Sequence, residues 1–196
     1  MSSTVTTIQS GEARQTRLLR STEPRLLQLG IDPLKAKTSW NYSLGLTAKI
    51  GPDLLMTLYA YQIGIADRII LSENLVVNNI AALKTLFPAT QEVYFFTNNI
   101  NTRTRGIDFI ATYRRPGNGF SASLAFTLNE TRITNARPAP DLLPAGTAKQ
   151  VIVIDTISRA LIETSQPREK ILASVGYRYN RFNATVRANY FGPITA

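Results

Sequence analysis

From Ser39 to Ile50 the chain alternates without interruption. Trp40, Tyr42, Leu44, Leu46, Ala48 and Ile50 fall on one parity; Ser39, Asn41, Ser43, Gly45, Thr47 and Lys49 fall on the other. Successive side chains of a strand point to opposite faces of a sheet, so this pattern predicts one long strand with an apolar and a polar side. The pattern returns in Ile107, Phe109, Ala111 and Tyr113, set against Gly106, Asp108, Thr112 and Arg114, with Ile110 as the exception. It returns again in Phe120, Ala122, Leu124, Phe126 and Leu128, whose neighbours are Ser121, Ser123, Ala125, Thr127 and Asn129. Ile171, Ala173, Val175, Tyr177 and Tyr179 form a fourth apolar row, and Phe182, Ala184, Val186, Ala188 and Tyr190 a fifth. None of these rows carries a charge.

A sixth strand is expected at about residues 54–71, which are rich in Leu, Tyr and Ile on both parities. Its preferred register puts Tyr59, Tyr61, Ile63 and Ile65 on the apolar side. Gly51-Pro52-Asp53, Arg115-Pro116-Gly117-Asn118-Gly119 and Asn180-Arg181 read as tight turns, because Gly, Pro, Asn and Asp supply the backbone angles that hairpins need. Between hairpins lie long segments, about residues 73–92 and 130–169. The second includes a short helix, Asp155 to Glu163, with Asp155 as its cap and Ile157, Ala160 and Leu161 on one face, expected to pack on a barrel rim. Residues 1–37 lack a sustained period and read as loop or a strand remnant.

Alternation does not say which face is inside, since a soluble sandwich turns its apolar side inward and a membrane barrel outward. Length favours the membrane: a tilted spanning strand needs about 9 to 11 residues, whereas strands of globular proteins average about 5 to 6. Aromatic residues flank the tight turns, Tyr113 and Phe120 at one and Tyr177, Tyr179 and Phe182 at another, as in an interfacial girdle. Ordinary strand propensity would also enrich aromatics. A lipid-facing charge is costly, and Lys49, Asp108, Arg114, Arg178 and Arg187 all occupy the polar parity. Short turns at one end and long loops at the other complete the layout of an up-and-down antiparallel transmembrane barrel segment, about six long strands in an open curved sheet with one short loop helix.

Composition narrows the chemistry. The chain has no Cys and no His, so thiolate and imidazole metal ligands and the commonest general base are absent, and an enzyme, a metal site or a cofactor is not expected. Loop carboxylates such as Asp155, Glu163 and Glu169 read as solvated rather than as an acid–base pair. Gly117 and Gly119 belong to a turn, with no following helix start and Lys to make a phosphate cradle. No apolar run is long enough for a membrane helix, and the Met-Ser-Ser-Thr-Val-Thr-Thr start is not a secretory signal. A formal net charge of +9 keeps a second reading open, a soluble basic β-protein that binds nucleic acid or another polyanion, although the basic residues are scattered singly. Detergent dependence separates the two readings from retention on heparin.

The segment Leu34-Lys35-Ala36-Lys37-Thr38-Ser39-Trp40-Asn41-Tyr42-Ser43-Leu44-Gly45-Leu46 resembles a strand opening of the TonB-dependent outer-membrane receptors, with Ala36 and Lys37 departing from the usual Pro and Glu. Tyr59-Ala60-Tyr61-Gln62-Ile63-Gly64-Ile65-Ala66-Asp67-Arg68-Ile69 is similar to the next strand of that family. Asn98-Asn99-Ile100-Asn101-Thr102-Arg103-Thr104-Arg105-Gly106-Ile107-Asp108 is similar to its most recognisable one. The resemblance covers about residues 34–191 and, in family terms, late barrel strands only.

The resemblance implies a part of a barrel domain over residues 38–196, in the outer membrane of a Gram-negative type cell. It implies energy-coupled uptake of a siderophore, cobalamin or carbohydrate, and as partners the outer-membrane lipid, a plug and further strands, the imported small ligand, and the TonB complex through an N-terminal part; nucleic acid is not among them. A full receptor has about 22 strands. With about six strands and neither plug nor energy-coupling box, the chain alone is expected to leave two unpaired edges and not to insert stably. Asn41, Arg103, Arg105, Asp108, Arg114, Asn129 and Arg187 are the candidates for lumen-facing or plug-facing positions, against the plainer reading of strand polarity without a ligand role.

Overall fold

The computed structural model describes residues 3–9, 12–115, 119–136 and 156–194. In chain order come strands β1 (Ser3–Gln9) and β2 (Glu12–Leu19), helix α1 (Pro24–Gln28), β3 (Thr38–Ile50), β4 (Leu54–Leu71) and the short β5 (Leu75–Val76). They are followed by a 3-10 turn (Val77–Asn79), α2 (Ala81–Leu86), β6 (Glu92–Arg115), β7 (Phe120–Ala136), α3 (Thr156–Glu163), β8 (Glu169–Tyr179) and β9 (Phe182–Phe191). All five alternating segments and the expected sixth are strands. β6 is longer than the alternation predicts, 24 residues, because the Val93-Tyr94-Phe95-Phe96 run before it also favours extended backbone.

Contacts divide the chain into two units. The first is made of Met1–Thr38, Ile65–Thr102 and Thr134–Arg159, the second of Ser39–Gly64, Arg103–Ile133 and Ala160–Ala196. The second unit is the alternating wall, in the order β3-β4-β6-β7-β8-β9. β7 and β8 pair antiparallel from Phe120↔Tyr177 to Leu128↔Glu169, and β8 and β9 from Tyr179↔Phe182 to Lys170↔Phe191. Among the described residues nothing pairs β3 with β9, so the sheet is open and these are its edges. Two tight turns have the backbone expected of them: Gly51 and Asn180 both take positive φ, 62° and 52°. Pro116, Gly117 and Asn118 of the third expected turn lie outside the described residues, as do Asp155, the expected cap of α3, and most of the long segment before it. The apolar side of α3 is not packed: Ile157 and Leu161 are exposed, and the helix is tied instead by Glu163, whose carboxylate accepts a hydrogen bond from the Ile133 amide (2.7 Å).

Most of the first unit falls in segments that the sequence left as loops. Residues 1–37 supply a β1–β2 hairpin and α1. β2 runs parallel to β6 from Thr16↔Glu92 to Leu19↔Phe95. Leu19, Leu26, Leu83, Phe87, Val93 and Phe95 close a small dry core. Each fully buried side chain of this size contributes about 1.5 to 3 kcal/mol. The Asn98 side chain stitches three segments together: its Oδ1 accepts from the Lys35 amide (2.7 Å), and its Nδ2 donates to the carbonyls of Lys35 (2.9 Å) and Asp67 (2.6 Å). Asp67 has φ 53°, a rare conformation for a residue with a side chain. Its amide donates to Asn101 (3.0 Å), so the two asparagines clamp the irregular turn of β4 from both sides.

Candidate functional site

The function of a barrel wall lies in what each face presents, and cross-strand contacts assign the faces. The hydroxyls of Thr47 and Thr57 meet at 3.2 Å, and a Cβ on Gly45 would stand 3.1 Å from the Tyr59 ring. The Trp40 indole lies over Gly64. Trp40 is on the apolar parity of β3 and Gly45 on the polar one, so β4 turns Ala60, Gln62 and Gly64 to the apolar side and Tyr59 and Tyr61 to the polar side. Tyr61 in turn covers Gly106, on the polar parity of β6.

The expected register of β4, with Tyr59, Tyr61, Ile63 and Ile65 toward the apolar face, is therefore reversed for Tyr59 and Tyr61 and, by parity, for Ile63. The reason is steric. Glycines at 45 and 106 leave hollows on the polar face that the two tyrosine rings fill, a pairing that stabilises sheets across strands. We expect Gly106→Val to destabilise the wall by about 1 to 3 kcal/mol, the range for overpacking, and to cost much less when Tyr61→Ala is also present. Denaturant titration of the single and double variants in micelles reads that non-additivity, and equal penalties in both backgrounds would refute the contact.

The polar face is furnished with small hydroxyl pairs. Besides Thr47 and Thr57, Ser123 meets Ser174 at 2.7 Å and Thr104 meets Thr131 at 2.8 Å. Asn41, Asp108, Arg114, Asn129 and Arg187 share this face by parity. Asp108 falls opposite Tyr59 in the register set by Tyr61 over Gly106, and Arg187 pairs with Ser174. The backbones of Arg114 and Asn129 are fixed by donation to the carbonyls of Asp53 (2.8 Å) and Arg168 (2.9 Å). Among the described residues no hydrogen bond or ion pair joins these five side chains to one another. They line a surface rather than build one pocket, and no group of three or more metal-ligating side chains is found among the described residues.

Arg103 and Arg105 do not belong with them. Both lie on the parity of Ile107 and Phe109, and the Arg105 guanidinium donates to the Gln62 side chain (2.5 Å), which stands on the apolar side with Gly64 and Trp40. By parity these two candidates for a lumen-facing position thus fall on the face opposite to Asp108 and Arg114. Their polarity marks where the apolar row of β6 ends, at Ile107. β7 behaves alike: its row Phe120, Ala122, Leu124, Phe126, Leu128 continues on the same parity into Glu130 and Arg132. Glu130 accepts from Arg132 (2.8 Å) and from Arg168 (3.1 Å). This cluster escaped the sequence reading, although following the parity two residues past Leu128 would have found it.

A sequence profile for the family described as TonB dependent receptor-like, beta-barrel matches residues 11–195. No curated protein matches the sequence. Two solved structures of the FrpB iron transporter from Neisseria meningitidis are similar in fold. The F3-3 variant gives a TM-score of 0.52 at 16% identity, and the apoprotein form of the F5-1 variant gives 0.53 at 14%. Each likeness covers 81% of this chain and 19% of the other, so the chain spans about a fifth of the length of those transporters.

Proposed function

This chain belongs to the TonB dependent receptor-like β-barrel family, and from that premise we propose that residues 38–196 form part of the wall of an outer-membrane importer. The family is one of receptors and transporters rather than enzymes. In this reading the apolar parity meets outer-membrane lipid. The polar parity, with Asn41, Asp108, Arg114, Asn129 and Arg187, looks toward a lumen and a plug. The cargo is a siderophore, cobalamin or carbohydrate, and energy arrives from the TonB complex through another part of the receptor.

One observation carries the reading. The apolar rows are open: Leu44 is 79% exposed, Leu46 68% and Val186 74%, with no second layer over them among the described residues. In water such a contiguous face is a liability, whereas in a bilayer it is the surface that lipid covers.

The chain has no Cys, which makes alternation directly measurable. Single cysteines at 44, 46, 124 and 186 are expected to be shielded from a water-soluble thiol reagent in detergent micelles. Cysteines at 43, 47, 123 and 174 are expected to react at least tenfold faster. Equal reactivity on both parities, or a monodisperse soluble protein without detergent, would overturn the membrane reading.

A further inference from the structure

The outward face of the wall carries a basic rim that lumen chemistry does not explain. Thr104 and Thr131 pair across β6 and β7 on the polar side (2.8 Å). One step either way along that register, on the opposite face, sets Arg105 beside Glu130 and Arg103 beside Arg132. Gln62 bonds to Arg105 from β4, and Arg168 reaches Glu130 (3.1 Å) from the start of β8. Trp40 and Tyr42 of β3, ring centroids 5.1 Å apart, extend the same two rows. Arg105, Arg132 and Arg168 thus surround Glu130, with Arg103 beside Arg132 and Glu169 one row further on beside Leu128.

Next to this rim lies an open hollow of about 600 Å³ lined mainly by the apolar parity, Leu44, Ala60, Ile107 and Leu128 together with Gln62, Arg105 and Glu130, and in part by Ser43, Tyr61, Gly106 and Asn129 between them. All of these groups belong to the second unit; Arg103, Arg105, Arg132 and Arg168 lie toward the strand ends away from the tight turns, the outer-leaflet end of such barrels, while the row of Leu44, Ala60, Ile107 and Leu128 stands nearer mid-strand. A guanidinium fork matches phosphate oxygens two at a time, and the apolar slot below offers room for a hydrocarbon chain. Aromatic residues at the same level are the usual company of a lipid headgroup.

We infer that Arg103, Arg105, Arg132 and Arg168 form a binding site on the outside of the barrel for the phosphate of an outer-leaflet lipid headgroup, with the acyl chain in the slot lined by Leu44, Ala60, Ile107 and Leu128. The inference rests on the lipid-facing orientation proposed above. It also gives a reason for guanidinium groups on the outward parity, where an unpartnered charge at mid-bilayer depth would be costly.

Trp40, the only tryptophan, reports on the site from its place over Gly64. The chain in maltoside micelles is titrated with diphosphorylated lipid A, with the same lipid lacking its phosphates, and with inorganic phosphate. Saturable change in Trp40 emission is expected for the phosphorylated lipid alone. It should weaken at least tenfold in the Arg103→Gln/Arg105→Gln variant and tighten in Glu130→Gln. Lys49→Gln, on the polar face near a tight turn, should leave it unchanged.

Strand circular dichroism checks that each variant folds; should the β6 double variant fail, Arg132→Gln/Arg168→Gln is read instead, with the same weakening expected. Equal response to the dephosphorylated lipid, saturation by inorganic phosphate at the same concentration, or indifference to the arginine variants would each overturn the site. If the cysteine pattern alternates while the lipid titration is flat, the headgroup site fails and the membrane wall stands; if the pattern does not alternate, both fail.

Discussion

Leu44→Arg is expected to destabilise the wall in micelles by about 2 to 4 kcal/mol, the cost of a basic side chain on the lipid face near mid-bilayer. At about 1.4 kcal/mol per factor of ten, folding should weaken thirtyfold or more. Leu44 is the third of six apolar positions on β3, flanked by Tyr42 and Leu46, and is too far from the strand ends for its replacement to reach water easily. Ser43→Arg, one residue away but on the polar parity, should cost almost nothing. Urea titrations of both variants by strand circular dichroism make the comparison. Similar penalties would mean that the two faces of β3 meet the same medium, which no membrane wall allows.

Phe87→Ala should be as severe but confined to the first unit. Phe87 is 2% exposed, belongs to the core with Leu19, Leu26 and Leu83, and lies under the Arg25 guanidinium, 5.2 Å from the ring centroid. Truncating a buried phenylalanine costs about 3 to 5 kcal/mol, most of what so small a core can supply. Local opening should therefore rise at least a hundredfold, exposing Lys84 on α2 to trypsin. Cleavage after Lys84 at the parent rate would show that this core does not hold the loops.

The two expectations sit on opposite sides of a divide in what the sequence discloses. Strand β3 could be placed residue by residue because its two parities differ completely in polarity; β8 and β9 were nearly as clear. β4 was found but turned the wrong way. Both of its parities carry apolar residues, so no polarity difference exists to read, and its facing is decided by Gly45 and Gly106, on neighbouring strands, which leave room for Tyr59 and Tyr61. Arg103 and Arg105 are candidates for a lumen-facing position on their charge, whereas their parity places them on the face of Ile107.

What the sequence determined by itself is the six strands of the wall, the family and the parity on which most residues of the wall lie, since all three follow from period-two alternation and local motifs that need no partner. What only the tertiary structure decided is the small core uniting residues 19–31 with 75–95, the parallel pairing of β2 with β6, and the arginine rim. These arise from residues far apart in the chain, and a contact across such a separation depends on register and packing that no local pattern encodes.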